Sequence, residues 1–218
     1  MKARLLDRFC GAGGAAAGYA RAGFVVVGVD IAPQPHYPFE FVQGDALDED
    51  FIATLGPFDA QHASPPCQDH TRGGSHPVHG TGWMLAATRA RLEASGTAWV
   101  IENVPGAPMR ADYKLCGCMF GLALPGVGQL VRERWFETSW HGFEMRPPCQ
   151  HSGPAISVVG HGTTSYAREK LGRNPTAAEY RQLMGIDWTS RDELSHAIPP
   201  AYTEHIGRQL LTVLEAAA

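Results

Sequence analysis

No run of 18 apolar residues occurs in this 218-residue chain, so a membrane-spanning helix is not expected. The start also lacks the layout of a secretion signal, because Met1-Lys2-Ala3-Arg4 passes straight into a strand-like segment. A soluble, cytoplasmic protein is the expectation. A surplus of basic residues is missing too: 18 Lys plus Arg stand against 22 Asp plus Glu, a formal net charge of -4. That excludes a coat that binds nucleic acid by charge alone and leaves only a local patch for such contact. Cysteine is sparse and irregular, with five residues at 10, 67, 116, 118 and 149, which does not read as a disulfide framework. Internal repeats, coiled-coil heptads and low-complexity linkers are absent. What remains is 44% hydrophobic and 18% charged, enough for one full core and too short for two large domains.

Arg4 to Phe9 is a short apolar run that stops at Cys10-Gly-Ala-Gly-Gly14, and Ala15 to Ala22 then supplies small helix formers. Phe24 to Asp30 is a β-branched run of the kind buried on both faces of a parallel sheet, and it ends in an acid. Three further short strands are expected: Phe39–Val42 before Gly44-Asp45, Phe58–Ala63 before Ser64-Pro-Pro66, and Ala98–Ile101 before Glu102-Asn103. A helix over Trp83–Ala94 separates the last two. This alternation predicts an α/β, Rossmann-like, mostly parallel sheet with helices on both faces and a ligand at the carboxyl ends of its strands. Arg132 to Ser139 reads as one more strand, with Arg132 and Arg134 on one face. Residues 141–172 read as a small loop-rich insertion. A helix over Pro175–Met184 has Thr176 and Glu179 in a capping box, and a last helix runs from Tyr202 to Leu214.

The glycine turn after the first strand allows close backbone approach to a ligand. Asp30, at the end of the second strand, stands where an acid accepts ribose hydroxyls, and Asp45 follows the third. A plain structural turn and solvated acids are the alternatives. Cys67 follows two prolines that hold the chain extended, which presents its thiol at a strand end. By itself this pentapeptide reads more readily as a small buried cysteine, but Glu102-Asn103 at the end of the next strand brings a carboxyl group close to it and shifts that balance.

Taken in order, Asp7-Arg-Phe-Cys-Gly-Ala-Gly-Gly14, Val29-Asp30, Gly44-Asp45, Ser64-Pro-Pro-Cys-Gln68, Glu102-Asn-Val104, Arg132-Glu-Arg134 and Ala197-Ile-Pro-Pro200 resemble the ordered motifs of the cytosine-C5 DNA methyltransferases. The resemblance covers nearly the whole chain except 141–172. It implies S-adenosylmethionine as cofactor, held by Phe9, Gly11, Ala12, Gly14, Asp30, Ile31, Asp45, Ala46, Pro66 and Ala197. It implies catalysis by Cys67 as nucleophile at cytosine C6, Glu102 at the N3 edge and Arg134 at O2, with Arg132 in support and Pro65 and Gln68 against the substrate. The base has to be flipped out of the duplex, and Asp69 to Gly80 is suited to close over it as a lid. A bacterial or phage-infected cell is the implied setting.

Departures from the family pattern are Ser195 for Gly, His196 for Asn, and Gln129 one place too far from Arg132. The recognition region is also much reduced. Division into a catalytic domain 1–140, a recognition segment 141–172 and closing helices 173–218 is expected. Residues 132–181 carry seven basic and five acidic side chains, whereas the rest of the chain carries 11 and 17. Arg146, Arg168, Lys170 and Arg173 are therefore expected on phosphates, with a site of two to four bases or nearly none. The expected partner is double-stranded DNA, bound by a monomer. The same chemistry on tRNA, single-stranded DNA or a nucleotide stays open, as does a catalytically idle nucleic-acid-binding subunit. Cys116-x-Cys118 and Cys149-x-His151 offer four zinc ligands, but their one-residue spacers are tighter than usual, so the reading is no metal and reduced core or loop cysteines.

Overall fold

The structure, a computed structural model, describes residues 2–66, 80–142, 144–159 and 163–217. Five strands run parallel: β1 (Arg4–Arg8), β2 (Val25–Asp30), β3 (Glu40–Gln43), β4 (Ala60–Ala63) and β5 (Ala98–Asn103). β6 (Tyr113–Leu115) and two short strands, β7 (Ala123–Leu124) and β8 (Gly128–Leu130), follow. β9 (Arg134–Thr138) then inserts antiparallel between β5 and β6. The main sheet has the order β3-β2-β1-β4-β5-β9-β6. β7, β8 and β10 (Ala155–Ile156) make a second, three-stranded sheet.

The two faces of the main sheet follow from strand periodicity. Leu5 and Val26 pack into the core shared with α1 (Gly14–Ala22), while Leu6 and Val29, of opposite parity along β1 and β2, pack on the other face with Ile52 of α2 (Glu49–Thr54). α3 (Gly82–Ala94) covers β4 and β5 on that face through Leu85 and Leu92. A smaller core joins β8 and β10 to α4 (Ser165–Leu171), α5 (Ala177–Met184) and α6 (Arg191–His196). The last helix, α7 (Pro200–Ala217), lies on α1, and Tyr202, Ile206 and Leu210 sink into the main core. Contact is close because a Cβ on Gly18 would collide with the Pro200 carbonyl and Thr203 Oγ1 of α7. Thr203 Oγ1 instead donates to the Ala15 carbonyl at 2.8 Å.

The expected α/β class is what the chain adopts, with local differences. β5 runs on through Glu102 and Asn103, which places both in the sheet rather than after it. β9 starts at Arg134, so Arg132 stands outside the strand and the two arginines do not share one of its faces. Within 141–172 the described residues are largely irregular, with β10 and α4 as additions. The capping box of α5 is as read: Thr176 accepts from the Glu179 N–H, and the Glu179 carboxylate accepts from Thr176 N–H at 2.7 Å. Among the described residues no helix is long and apolar enough to cross a membrane.

Candidate active site

Strand order reverses beside β1, since β2 and β3 extend to one side of it while β4 and β5 extend to the other. In open α/β sheets the crevice at such a point, outside the carboxyl ends of the strands, takes ligands. A cleft of about 450 Å³ opens there. Its floor begins with Phe9, whose φ of 58° is a left-handed conformation that costs a bulky residue about 1–3 kcal/mol. Gly11 follows at φ 48°, and a Cβ on it would meet nothing within 4 Å, so the turn exposes bare backbone to the cleft. Asp30 braces the turn: its Oδ2 accepts from Gly11 N–H and its Oδ1 from Ala32 N–H, each at 3.0 Å.

All ten residues expected at a cofactor line this one cleft: Phe9, Gly11, Ala12 and Gly14 from the first turn, Asp30 and Ile31, Asp45 and Ala46, Pro66, and Ala197. Two features fit the S-adenosylmethionine that the resemblance implies. The volume suits a nucleoside-sized ligand. Ile31 is 72% exposed at the rim, an unpaired apolar face of the size a purine ring covers. Asp7 is fully buried below the turn, with Tyr37 as its hydrogen-bonding neighbour. Burial, and then the nearby Asp30, push the Asp7 carboxyl well above the usual range, which favours its neutral form below the turn.

In the same cleft, sheet geometry assembles a carboxylate–guanidinium pair. Asn103 is paired with Trp135 across the antiparallel β5–β9 ladder, so Arg134, one residue earlier, stands beside the carboxyl end of β5. Its Nε lies 3.0 Å from Glu102 Oε1. Burial raises the Glu102 pKa, opposed by Arg134, by a hydrogen bond from Ser64 and by Arg132. Behind this pair runs a buried relay in which His62 Nε2 meets Ser64 Oγ at 2.9 Å and His62 Nδ1 meets Tyr19 Oη at 3.0 Å. Because Ser64 donates to Glu102, His62 has its proton on Nε2, donates to Ser64 and accepts from Tyr19. Burial drops the His62 pKa to about 3, which keeps the ring neutral. Asn103 Nδ2 donates to the Pro65 carbonyl at 3.1 Å and so ties Ser64-Pro65-Pro66 to β5. Pro65 and Pro66 both line the cleft.

Cys67, Gln68 and all of the expected lid except Gly80 lie outside the described residues. Arg132 is not part of the cleft lining. It is buried and donates to three carbonyls, those of Val158 (2.8 Å), Ser195 (2.7 Å) and Ala197 (3.1 Å), which makes it a clamp under the cleft. Of the four cations expected on phosphates, Arg168 and Lys170 are exposed in the last turn of α4. Arg146 is not free: it donates twice to the Met119 carbonyl and lies 4.4 Å over the Phe120 ring. Arg173, though exposed, forms a two-pronged ion pair with Glu179. Cys116, Cys118, Cys149 and His151 come together, with all donor atoms within 4.8 Å of one another. Sequence reasoning assigned no role to Asp7, Gln34, Met84 or Glu193, which also line the cleft. Only Glu193 had a local signal, as the acid of a Ser190-x-x-Glu193 capping box.

No protein-family model and no curated protein matches the chain. Solved structures do match over 98% of it and 99% of their own chains. One is described as a DNA modification methyltransferase encoded within a prophage (E. coli), at 14% identity and a TM-score of 0.64. The others are the Dnmt2 methyltransferase of S. pombe (16%, 0.67) and the methyltransferase EhMeth of Entamoeba histolytica (13%, 0.66). The chain shares their fold. At these identities the likeness is one of architecture, and the chemistry has to be argued from the cleft.

Proposed function

We propose that the chain is an S-adenosylmethionine-dependent DNA cytosine-C5 methyltransferase. The observation that carries this reading is the Glu102–Arg134 pair lining the same cleft as the glycine turn and Asp30. Bound S-adenosylmethionine would supply an electrophilic methyl group. Phe9, Gly11, Ala12, Gly14, Asp30, Ile31, Asp45, Ala46, Pro66 and Ala197 would hold it.

Cytosine presents a ring nitrogen and a carbonyl oxygen side by side at N3 and O2. A carboxyl group raised by burial can give or share a proton at N3, and the neighbouring guanidinium can donate to O2. Both draw electron density from C6, where the Cys67 thiolate would add. The adduct makes C5 nucleophilic, so that C5 would take the methyl group, its own proton would then leave to solvent, and breaking of the C6–S bond would free the thiolate. Arg132 acts as a positioning residue, since it holds the Ser195–Ala197 backbone that borders the cleft. Pro65 and Gln68 would flank the base. Arg168 and Lys170 would contact phosphates, whereas Arg146 and Arg173 carry internal partners and contribute less than their charge suggests.

Incubation of the purified protein with genomic DNA and S-adenosylmethionine, read base by base after bisulfite treatment, tests the reading. Resistant cytosines in a short recurrent context are expected, and none from Cys67→Ser. A duplex bearing 5-fluorocytosine should trap the wild-type chain covalently. Methylation confined to RNA or to a free nucleotide would move the substrate but keep the chemistry. Cofactor binding without methylation of any of these would overturn it.

A further inference from the structure

We propose that Cys116, Cys118, Cys149 and His151 bind one structural zinc ion as a Cys₃His site. The residues come from two segments. Cys116 and Cys118 bracket the start of a 3-10 turn, Gly117–Phe120, directly after β6. Cys149 and His151 sit on the irregular stretch that precedes β10. The fold brings Cys118 Sγ to 3.0 Å from Cys149 Sγ, Cys149 Sγ to 3.0 Å from His151 Nε2, and Cys116 Sγ to 3.5 Å from His151 Nε2.

A tetrahedral zinc ion, with Zn–S near 2.3 Å and Zn–N near 2.0 Å, needs donor pairs about 3.3–3.8 Å apart. The four donors reach that spacing with shifts of about half an ångström each. Four protein ligands close the coordination sphere, which is the mark of a structural rather than a catalytic site. Binding would release the thiol protons to solvent and leave three thiolates and a neutral imidazole around the ion.

The surroundings are built to aim these donors. A Cβ on Gly117 would approach Leu130 Cβ at 2.6 Å, so glycine is what lets a one-residue spacer lie this close to β8. Cys116 Sγ accepts from the Met119 backbone N–H, an interaction that orients and stabilises a thiolate. Cys149 and His151 are exposed and Cys118 partly so, which gives an ion access. The segment they occupy is otherwise held by Arg146 on Met119 and Phe120 and by backbone contacts of Glu144, Gln150 and Pro154 with Gln209 and Gln129. One ion would fasten the insertion to the edge of the main sheet. A Cys118–Cys149 disulfide is the competing arrangement, but it would leave Cys116 and His151 converging on the same point without a purpose.

Metal analysis of protein purified under reducing, chelator-free conditions tests the proposal independently of any activity. About one zinc per chain is expected, surviving desalting, with Cys10→Ser retaining it and Cys149→Ser and His151→Ala each losing it at least tenfold more readily to a chelator. His151 is exposed, so its variant keeps the fold, checked by circular dichroism. Cobalt added to the metal-free chain should give the intense visible bands of a tetrahedral thiolate site and lose them to zinc. A metal-free reduced chain without cobalt bands, zinc retained fully by both variants, or a Cys118–Cys149 disulfide in protein isolated under thiol blocking would each overturn it.

Discussion

Arg134 Nε stands 3.0 Å from Glu102 Oε1, yet burial outweighs the guanidinium and leaves the Glu102 pKa raised rather than lowered. The sign has a consequence for stability. A carboxyl whose pKa is higher folded than unfolded binds its proton more tightly in the native state, so its contribution is fully present at low pH and is lost as pH rises through the folded value. Glu102→Gln, which mimics the protonated form, should therefore match the wild type near pH 4 and exceed it in stability by pH 8. The same variant should lose methyl transfer by two orders of magnitude or more, since a proton at N3 can no longer be supplied. Denaturant midpoints across pH decide this, and a variant less stable than wild type at pH 8 would show that the ion pair outweighs desolvation.

His62 gives the opposite limb. Its pKa falls from an ordinary 6.5 to about 3 because burial disfavours the imidazolium. Stability is then complete above pH 6.5 and declines toward pH 3 as the unfolded chain takes up a proton that the folded one refuses. The slope is about 1.4 kcal/mol per pH unit and the whole limb roughly 4–5 kcal/mol. His62→Asn should flatten that slope by about one proton, whatever it does to absolute stability. Urea titrations between pH 4 and 7 measure it, and parallel curves for the two proteins would rule His62 out as the source.

The parts of the molecule legible in the sequence are those set by local rules. The β-branched run of β2, the glycine turn before α1 and the Thr176–Glu179 box are each written within a few residues, and the structure has all three. The ordered motifs went further and gathered ten residues from five parts of the chain into one cleft. What stayed hidden depends on partners distant in sequence. Arg132 looks like a second strand arginine until Val158, Ser195 and Ala197 are placed around it. Arg146 and Arg173 look like phosphate contacts until Met119 and Glu179 occupy them. Charge counting sees neither ion pairs nor carbonyls. Asp7 is equally opaque, because one acid in a strand gives no sign that it is fully buried beside Asp30 and Tyr37.

The α1–α7 contact depends on the absence of a side chain. Gly18→Ala would place a methyl group against Thr203 Oγ1, the Pro200 carbonyl and the Glu204 N–H, the last at 2.6 Å. Helix backbone cannot yield as a long side chain does, so the two helices must separate. We expect a loss of about 2–4 kcal/mol despite the better helix propensity of alanine. Ala20→Gly, elsewhere on α1, gives the scale of a propensity change alone. Thermal unfolding of both variants separates packing from propensity, and a neutral Gly18→Ala would mean the contact is looser than drawn.

Arg132 offers the sharpest separation of positioning from chemistry. Its guanidinium satisfies three carbonyls from two chain segments, and a lysine ammonium on a single stem cannot span the same fork. Arg132→Lys should leave at least one buried carbonyl unpaired and cost about 1–3 kcal/mol. Because Ser195, His196 and Ala197 border the cleft, that slackness should appear first as weaker cofactor binding. Arg134→Lys should behave differently: cofactor affinity near that of wild type, with the loss concentrated in the rate of methyl transfer. Calorimetric titration with S-adenosylmethionine beside single-turnover methylation distinguishes them. Equal losses of both quantities in both variants would mean that the two arginines do one job, and the division drawn between clamp and base contact would fall.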